Sequence, residues 1–368
     1  MNLDELLDID LLAHHISTGN INTQQHPTEP VTIYNYTHAC QYNQAWDDVT
    51  RTCRGLIVHA DTNEILARPL AKFFNLSEHG PDTHAGDINL TAPMFVFDKA
   101  DGSLGIAWRR PSDGGLEWAT RGSFTSHQAL WANKFWTERF DERSNPPDGV
   151  TWCAEIIYPD NRIVVDYGNW EALILLAEIE IATGLHVGPV PMQGTLITTG
   201  PWPCATAGWH GWTDDIMTVD RNARPETEGY VVLSSDMRTR VKLKSDEYMR
   251  LHKLLTGVST VTIWHLLANQ QPLNDLLEVV PDEFAAWVKK TVADLLEAHN
   301  TLRLTIEREY QSLDHLVDRK AFAAEAIQSP HKSFLFALLD GKNITPMIWK
   351  AIKPERSLPF TNDEEVAA

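Results

Sequence analysis

Lys244 divides this sequence into two kinds of pattern. Before it, apolar residues come in short runs separated by Gly, Pro, Asn or Asp. After it, they recur every third or fourth residue. The first pattern is that of strands and the second that of helices. The strand-like runs are Val31–Tyr36, Gly55–Val58, Met94–Phe97, Leu104–Trp108, Trp152–Ile157, Ile163–Val165, Leu173–Ile179, Tyr230–Leu233 and Arg240–Lys244. One helix is expected near Ser126–Phe140. Strands and helices do not alternate, which disfavours a doubly wound parallel sheet. The expected fold class is therefore α+β.

Residues 181–228 interrupt the pattern with Gly, Pro, Thr and three tryptophans, Trp202, Trp209 and Trp212. They read as an irregular excursion with one short helix, its tryptophans packed locally. Beyond Lys244 the clearest period runs through Val288, Val292, Leu295, His299, Leu302, Ile306, Tyr310 and Leu313. Asp282 and Glu283 stand at its start, where negative charge suits the helix dipole. This predicts an amphipathic helix of about thirty residues. Shorter helices are expected near 246–256, 259–270, 317–328 and 331–340. The domains are set at 1–246 and 247–368, the second all-helical, with residues 363–368 fraying at the end.

The chain has 368 residues, with 50 Asp and Glu against 31 Lys and Arg, a net charge of −19. An overall attraction to a polyanion is excluded, so any nucleic acid must be held by a local group of cations. The four cysteines show no C-x-x-C spacing, and none of the 15 histidines makes a ligand spacing with a second ligand. Zinc is not expected, and a reducing, cytoplasmic compartment is. The acidic N-terminus is unlike a signal peptide, and no apolar run reaches the roughly 18–20 residues of a membrane span.

Within this acidic chain, Lys99-Ala-Asp-Gly102 lies between two predicted strands, where a tight turn can aim the lysine into a cleft. Alone, K-x-D-G arises by chance in about one chain in ten of this length. Glu155 lies within an apolar strand, and Glu228-Gly229 opens another. Lys242 and Lys244, two apart on a strand, face the same side. Three lysines on one sheet face are costly unless an anion sits among them. A nucleoside triphosphate is such an anion. A lysine amine attacks only when neutral, a form that nearby cations and partial burial favour. Lys99 is thus expected to be a nucleophile whose pKa is lowered by Lys242, Lys244 and Arg54.

Taken together, Lys99-Ala-Asp-Gly102, Glu155, Glu228-Gly229 and Lys242-Leu-Lys244 resemble motifs I, III, IV and V of the covalent nucleotidyltransferases. Further matches are Cys53-Arg-Gly-Leu56, Lys72-Phe-Phe-Asn-Leu76, Pro159–Val164 and Lys244-Ser-Asp-Glu-Tyr248. These resemble the bacteriophage RNA ligase 1 family of tRNA-repair enzymes, over roughly residues 30–255. The resemblance implies antiparallel sheets around an ATP cleft. It implies that Lys99 takes AMP from ATP, with Mg²⁺ or Mn²⁺ as the metal, and passes it to RNA. Arg54 and Lys72 would contact phosphates, with Phe74 lining the pocket. Gly102 would allow close approach at the sugar, Glu155 would bind the ribose and Glu228 would place the metal. Lys242 and Lys244 would grip the α-phosphate and pyrophosphate, Tyr248 would assist, and Arg121 would be the motif Ia cation. Tyr36 is a candidate aromatic, and the base-stacking residue within Leu173–Ile179 is unassigned. The implied partner is single-stranded RNA or broken tRNA with 5′-phosphate and 3′-hydroxyl ends. A monomer is expected, in the cytoplasm of an infected host if phage-encoded. The competing readings are a DNA ligase, a capping enzyme, or a non-catalytic nucleotide-dependent RNA-binding protein. A DNA ligase or capping enzyme would carry short strands after Lys244 instead of helices.

Overall fold

The computed structural model describes residues 1–357 except 90, 193, 225, 272, 274–281, 314, 315 and 317. It forms two compact units, Met1–His252 and a second beginning at Lys253. The expectation for residues 363–368 lies outside the described residues.

The strands of the first unit are β1 (Ile21–Gln25), β2 (Val31–Tyr36), β3 (Arg54–His59), β4 (Ile65–Ala67), β5 (Phe74–Asn75), β6 (Met94–Asp98), β7 (Ser103–Arg109) and β8 (Leu116–Thr120). They continue as β9 (Val150–Ile157), β10 (Ala172–Glu180), β11 (His186–Gly188), β12 (Val190–Met192), β13 (Thr195–Ile197), β14 (Trp209–Thr213), β15 (Gly229–Ser234) and β16 (Arg240–Lys244). A four-stranded sheet runs β1-β2-β3-β4. Two five-stranded sheets run β11-β10-β9-β7-β8 and β14-β6-β15-β16-β5. Pairing is antiparallel in these sheets except between β16 and β5, which run parallel. The α+β architecture expected of the sequence is present.

Short helices α1 (Leu3–Leu6), α2 (Ile9–Ser17), α3 (His38–Tyr42) and α4 (Asp48–Thr52) accompany the first sheet. The sequence reading omitted them, although α2 carries a start signal: the Asp8 side chain accepts from the Leu11 amide at 3.0 Å. Helix α5 (His127–Arg139) begins as expected at Ser126, whose hydroxyl accepts from the Ala129 amide. Its inner face, Ala129, Ala132, Phe135 and Trp136, packs Trp136 near Trp118, Trp152 and Trp202. Trp202 is therefore packed locally as predicted. Trp212 is not: it is 64% exposed on the edge strand β14.

Two segments depart from the sequence reading. Among the described residues, 181–228 contain four short strands, β11–β14, besides a 3-10 turn at Ile216–Thr218. Ile163–Val165 is not a strand. The Asp101 carboxylate accepts the amides of Val164 and Val165 at 2.9 and 2.8 Å, so those donors are taken by a side chain, not a ladder.

Helix α6 (Asp246–Gly257) follows β16 at once. The second unit contains α7 (Thr260–Ala268), α8 (Asp282–Ser312), α9 (Arg319–Ala326), α10 (Lys332–Leu339) and α11 (Thr345–Ala351). Each expected helix is present, α8 at 31 residues. The unpredicted α11 starts at Thr345-Pro346, where proline lacks an amide the helix does not need. Its Ile348 joins Ile306, Phe322 and Leu335 in a core. Among the described residues no helix is long and apolar enough to cross a membrane.

Candidate active site

The two five-stranded sheets of the first unit contribute to one cavity of about 730 Å³. Arg54, Lys99, Gly102, Arg121, Glu155 and Lys242 all line it, from five separate stretches of chain. The fold brings Lys99 there through the backbone. β6 pairs with β15, and the Lys99 amide then donates to the Gly229 carbonyl at 2.9 Å. Gly229 has φ +123°, and a Cβ there would lie 2.1 Å from the Leu243 carbonyl oxygen. A side chain would push β15 off β16. The preceding Glu228 is buried, with Lys99 Nζ 2.6 Å and Lys244 Nζ 2.9 Å from its two carboxylate oxygens.

This pairing overturns the expected charge state of Lys99. Burial pushes the amine down, but Glu228, Glu155 and Asp101 outweigh it, and the pKa is raised. Without a ligand Lys99 is an ammonium. Lys242 is the lysine pushed well below its ordinary value, first by burial and then by Arg54, Lys99, Lys72 and Lys244. Spacing could not distinguish the two, because Glu228 lies 129 residues from Lys99.

Gly102 donates its amide to Glu155 Oε1 at 2.9 Å. A Cβ at Gly102 would meet the Ile156 carbonyl oxygen at 2.5 Å. The close approach that demands glycine is thus to β9. Burial, more than the other groups around it, raises the Glu155 carboxyl to about 7. Asp101, named above only as part of the motif, is a hub. Besides the two amides, its carboxylate accepts the Tyr248 hydroxyl at 2.7 Å, and its own amide donates to the Tyr167 oxygen at 3.0 Å. Burial, with Glu228 and Asp101 nearby, pushes the Tyr248 phenol up, so it stays a donor. Tyr248 therefore acts beneath the Lys99 loop and is not part of the cavity lining.

Lys72, Phe74 and Tyr36 form a second group outside the cavity lining. The Lys72 ammonium lies 5.0 Å from the Trp46 ring centre, 5.2 Å from Phe74 and 5.8 Å from Tyr36. Tyr36 is buried, and its hydroxyl accepts from Arg121 Nη1 at 3.1 Å. Phe74 is buried between Trp46 and His79, which corrects the expectation that it lines the pocket. Phe73 lines it instead, with Lys242 4.7 Å and Arg54 5.9 Å from its ring centre. Adjacent residues of extended chain face opposite ways, and the sequence Lys-Phe-Phe does not say which is which. Leu176 and Val231 are apolar cavity residues from β10 and β15. Leu176 falls in the stretch left without a base-stacking assignment, at a register shift in the β9–β10 pairing. A bulge turns a side chain that alternation alone would misplace.

Among the described residues no three or more His, Cys, Asp or Glu side chains are grouped to hold a metal. Glu228 supplies hard oxygen donors, consistent with a divalent ion that takes its other ligands from phosphate. Both of its oxygens engage lysines, so such an ion would compete with Lys99.

Residues 52–248, more than half of the chain, match a family model described as RNA ligase. An uncharacterised protein of Ostreid herpesvirus 1 is 26% identical over 258 residues, covering 61% of each chain. A protein of Autographa californica nuclear polyhedrosis virus, provisionally named a bifunctional polynucleotide kinase/RNA ligase, is 24% identical over 275 residues. That match covers 68% of this chain and 37% of the viral protein. The chain thus spans less than two thirds of either relative. Among solved structures, a Naegleria gruberi RNA ligase with ATP and manganese has a TM-score of 0.32 at 15% identity, covering 45% of this chain and 52% of that one.

Proposed function

Since the chain belongs to the RNA ligase family, we propose that it is an ATP-dependent enzyme joining RNA 5′-phosphate and 3′-hydroxyl ends through a Lys99–AMP intermediate. The observation that carries the reading is the grouping of Lys99, Glu228 and Lys244 beside a cavity that Arg54, Lys242 and Glu155 also line. Lys99 nitrogen attacks the α-phosphorus of ATP, a P–N bond forms, and the bond to the pyrophosphate oxygen breaks. An RNA 5′-phosphate oxygen then attacks the same phosphorus and Lys99 leaves as amine. Finally a 3′-hydroxyl attacks the RNA phosphorus and AMP departs. All three steps are phosphoryl transfers, in which positioning and cationic stabilisation dominate.

Before the first step the Lys99 ammonium must lose its proton and its Glu228 partner. Nucleotide binding supports both, because Lys99 turned toward the phosphate leaves Glu228 and stays beside Lys242 and Lys244. Glu228 is then available to a divalent ion, Mg²⁺ or Mn²⁺, which when bound offsets charge on the phosphate oxygens. Arg54, Lys242 and Lys244 hold phosphates. Glu155 binds the ribose, and Leu176 with Val231 offers apolar walls to the base. Arg121 and Tyr36 support the phosphate end with Lys72. Helix α6 directly after β16 favours an RNA ligase over a DNA ligase or capping enzyme. Broken tRNA and a role in RNA repair in the cytoplasm of an infected cell suit the viral relatives, and the free thiols suit that compartment.

Incubation with α-labelled ATP and Mg²⁺ tests this. The wild type should take up label, K99A should take up none, and 5′-phosphorylated RNA should then be circularised. Labelling of K99A, or sealing of nicked duplex DNA in place of RNA, would refute it.

A further inference from the structure

The cavity holds more positive charge toward the start of β16 than its carboxylates balance. Lys99 and Lys244 are paired with Glu228. Arg240 and Lys242, two apart on β16, face the cavity together with Arg54. The strongest charge effects on Lys242 come from the cations Arg54, Lys99, Lys72 and Lys244. Those acting on Arg240 are Arg54 and the Cys153 thiol. Arg240 Nη2 is buried and has no hydrogen-bond partner among the described residues. A buried guanidinium nitrogen without an acceptor is costly, and the cost disappears if an anion arrives.

His186, also lining the cavity, sharpens the chemistry of that anion. Its Nε2 lies 3.0 Å from the Pro189 carbonyl oxygen, to which it donates, while the buried Nδ1 has no partner among the described residues. Burial, with Arg240 nearby, pushes the imidazole down to about 3, so the ring is neutral and Nδ1 is an acceptor. Two guanidinium groups beside a neutral acceptor suit an anion that also carries a hydroxyl. A terminal phosphate has a P–OH in its monoprotonated form, whereas a phosphodiester does not. Arg240 lies four residues along β16 from Lys244, about 13 Å. The backbone of Arg240 thus sits at the opposite end of β16 from Lys244 and its Glu228 partner.

We propose that Arg240, with Arg54 and His186, forms a subsite for a terminal phosphate at the end of the cleft away from Glu228. The source is either the pyrophosphate end of the nucleoside triphosphate or the 5′-phosphate of RNA. Naming these sources rests on the ligase reading, whereas the subsite itself does not.

Calorimetric titrations of the full chain with pyrophosphate, AMP, and a short RNA with either a 5′-phosphate or a 5′-hydroxyl separate the possibilities. R240Q should weaken one phosphate ligand by about ten- to a hundredfold, as expected for loss of a charge-assisted hydrogen bond. AMP binding should be unchanged. Weakened pyrophosphate assigns the triphosphate, and lost discrimination between the two RNAs assigns the 5′-end. R240Q binding both phosphate ligands like the wild type overturns the proposal. Should R240Q fail to fold, R240K, which keeps the charge but not the planar fork, must show the same weakening, and wild-type binding by R240K overturns it. A wild type that binds pyrophosphate but forms no covalent AMP adduct would sink the ligase reading and leave the subsite standing.

Discussion

At the scale of single residues, the site depends on which charges meet. Lys99 looked like a lysine depressed by cations, but it is an ammonium held by Glu228, and Lys242 is the depressed one. Glu155 gives a test with a definite sign. Its carboxyl is raised from about 4.5 to about 7, chiefly by burial, so the fold favours the protonated form. That stabilisation is complete below about pH 4.5 and is lost as pH rises through about 7. The urea midpoint of the wild type should therefore fall relative to E155Q between those values. Parallel curves would show that Glu155 ionises normally. Residue identities along the motifs were legible in the sequence. The choice of Phe73 over Phe74 as cavity residue was not, because it depends on which of two adjacent side chains the fold turns toward the cavity.

At the scale of elements, Asp101 ties three pieces together: its own turn after β6, the segment at Val164–Val165, and α6 through Tyr248. The same contacts explain why a β-branched run at 163–165 is not a strand. Y248F removes one buried, charge-assisted hydrogen bond and should cost about 1.5–3 kcal/mol, read as a lower urea midpoint. Formation of the AMP adduct should slow as well, because the loop carrying Lys99 loses a support. An unchanged midpoint would mean the bond contributes nothing. Strand and helix positions were largely readable from period alone. The short strands β11–β14 were not, being three to five residues each and rich in Gly and Pro.

At the scale of the whole molecule, a net charge of −19 coexists with a cavity lined by Arg54, Lys99, Arg121, Arg240 and Lys242. Such a chain should hold random RNA weakly at physiological salt, since few phosphates can be neutralised at once. The salt dependence of binding measured by filter retention should be shallow, and tight salt-sensitive binding to any RNA would contradict this. The sequence by itself determined the strand-then-helix order and singled out Lys99, Glu155, Glu228, Lys242 and Lys244 as candidates, because period and motif are properties of neighbours in the chain. Only the tertiary structure decided that Lys99 is charged, that Phe73 faces the cavity, that Asp101 captures two distant amides and that Arg240 Nη2 has no hydrogen-bond partner among the described residues. Charge state, facing and hydrogen-bond satisfaction are set by groups far apart in sequence, and only the fold brings those groups together.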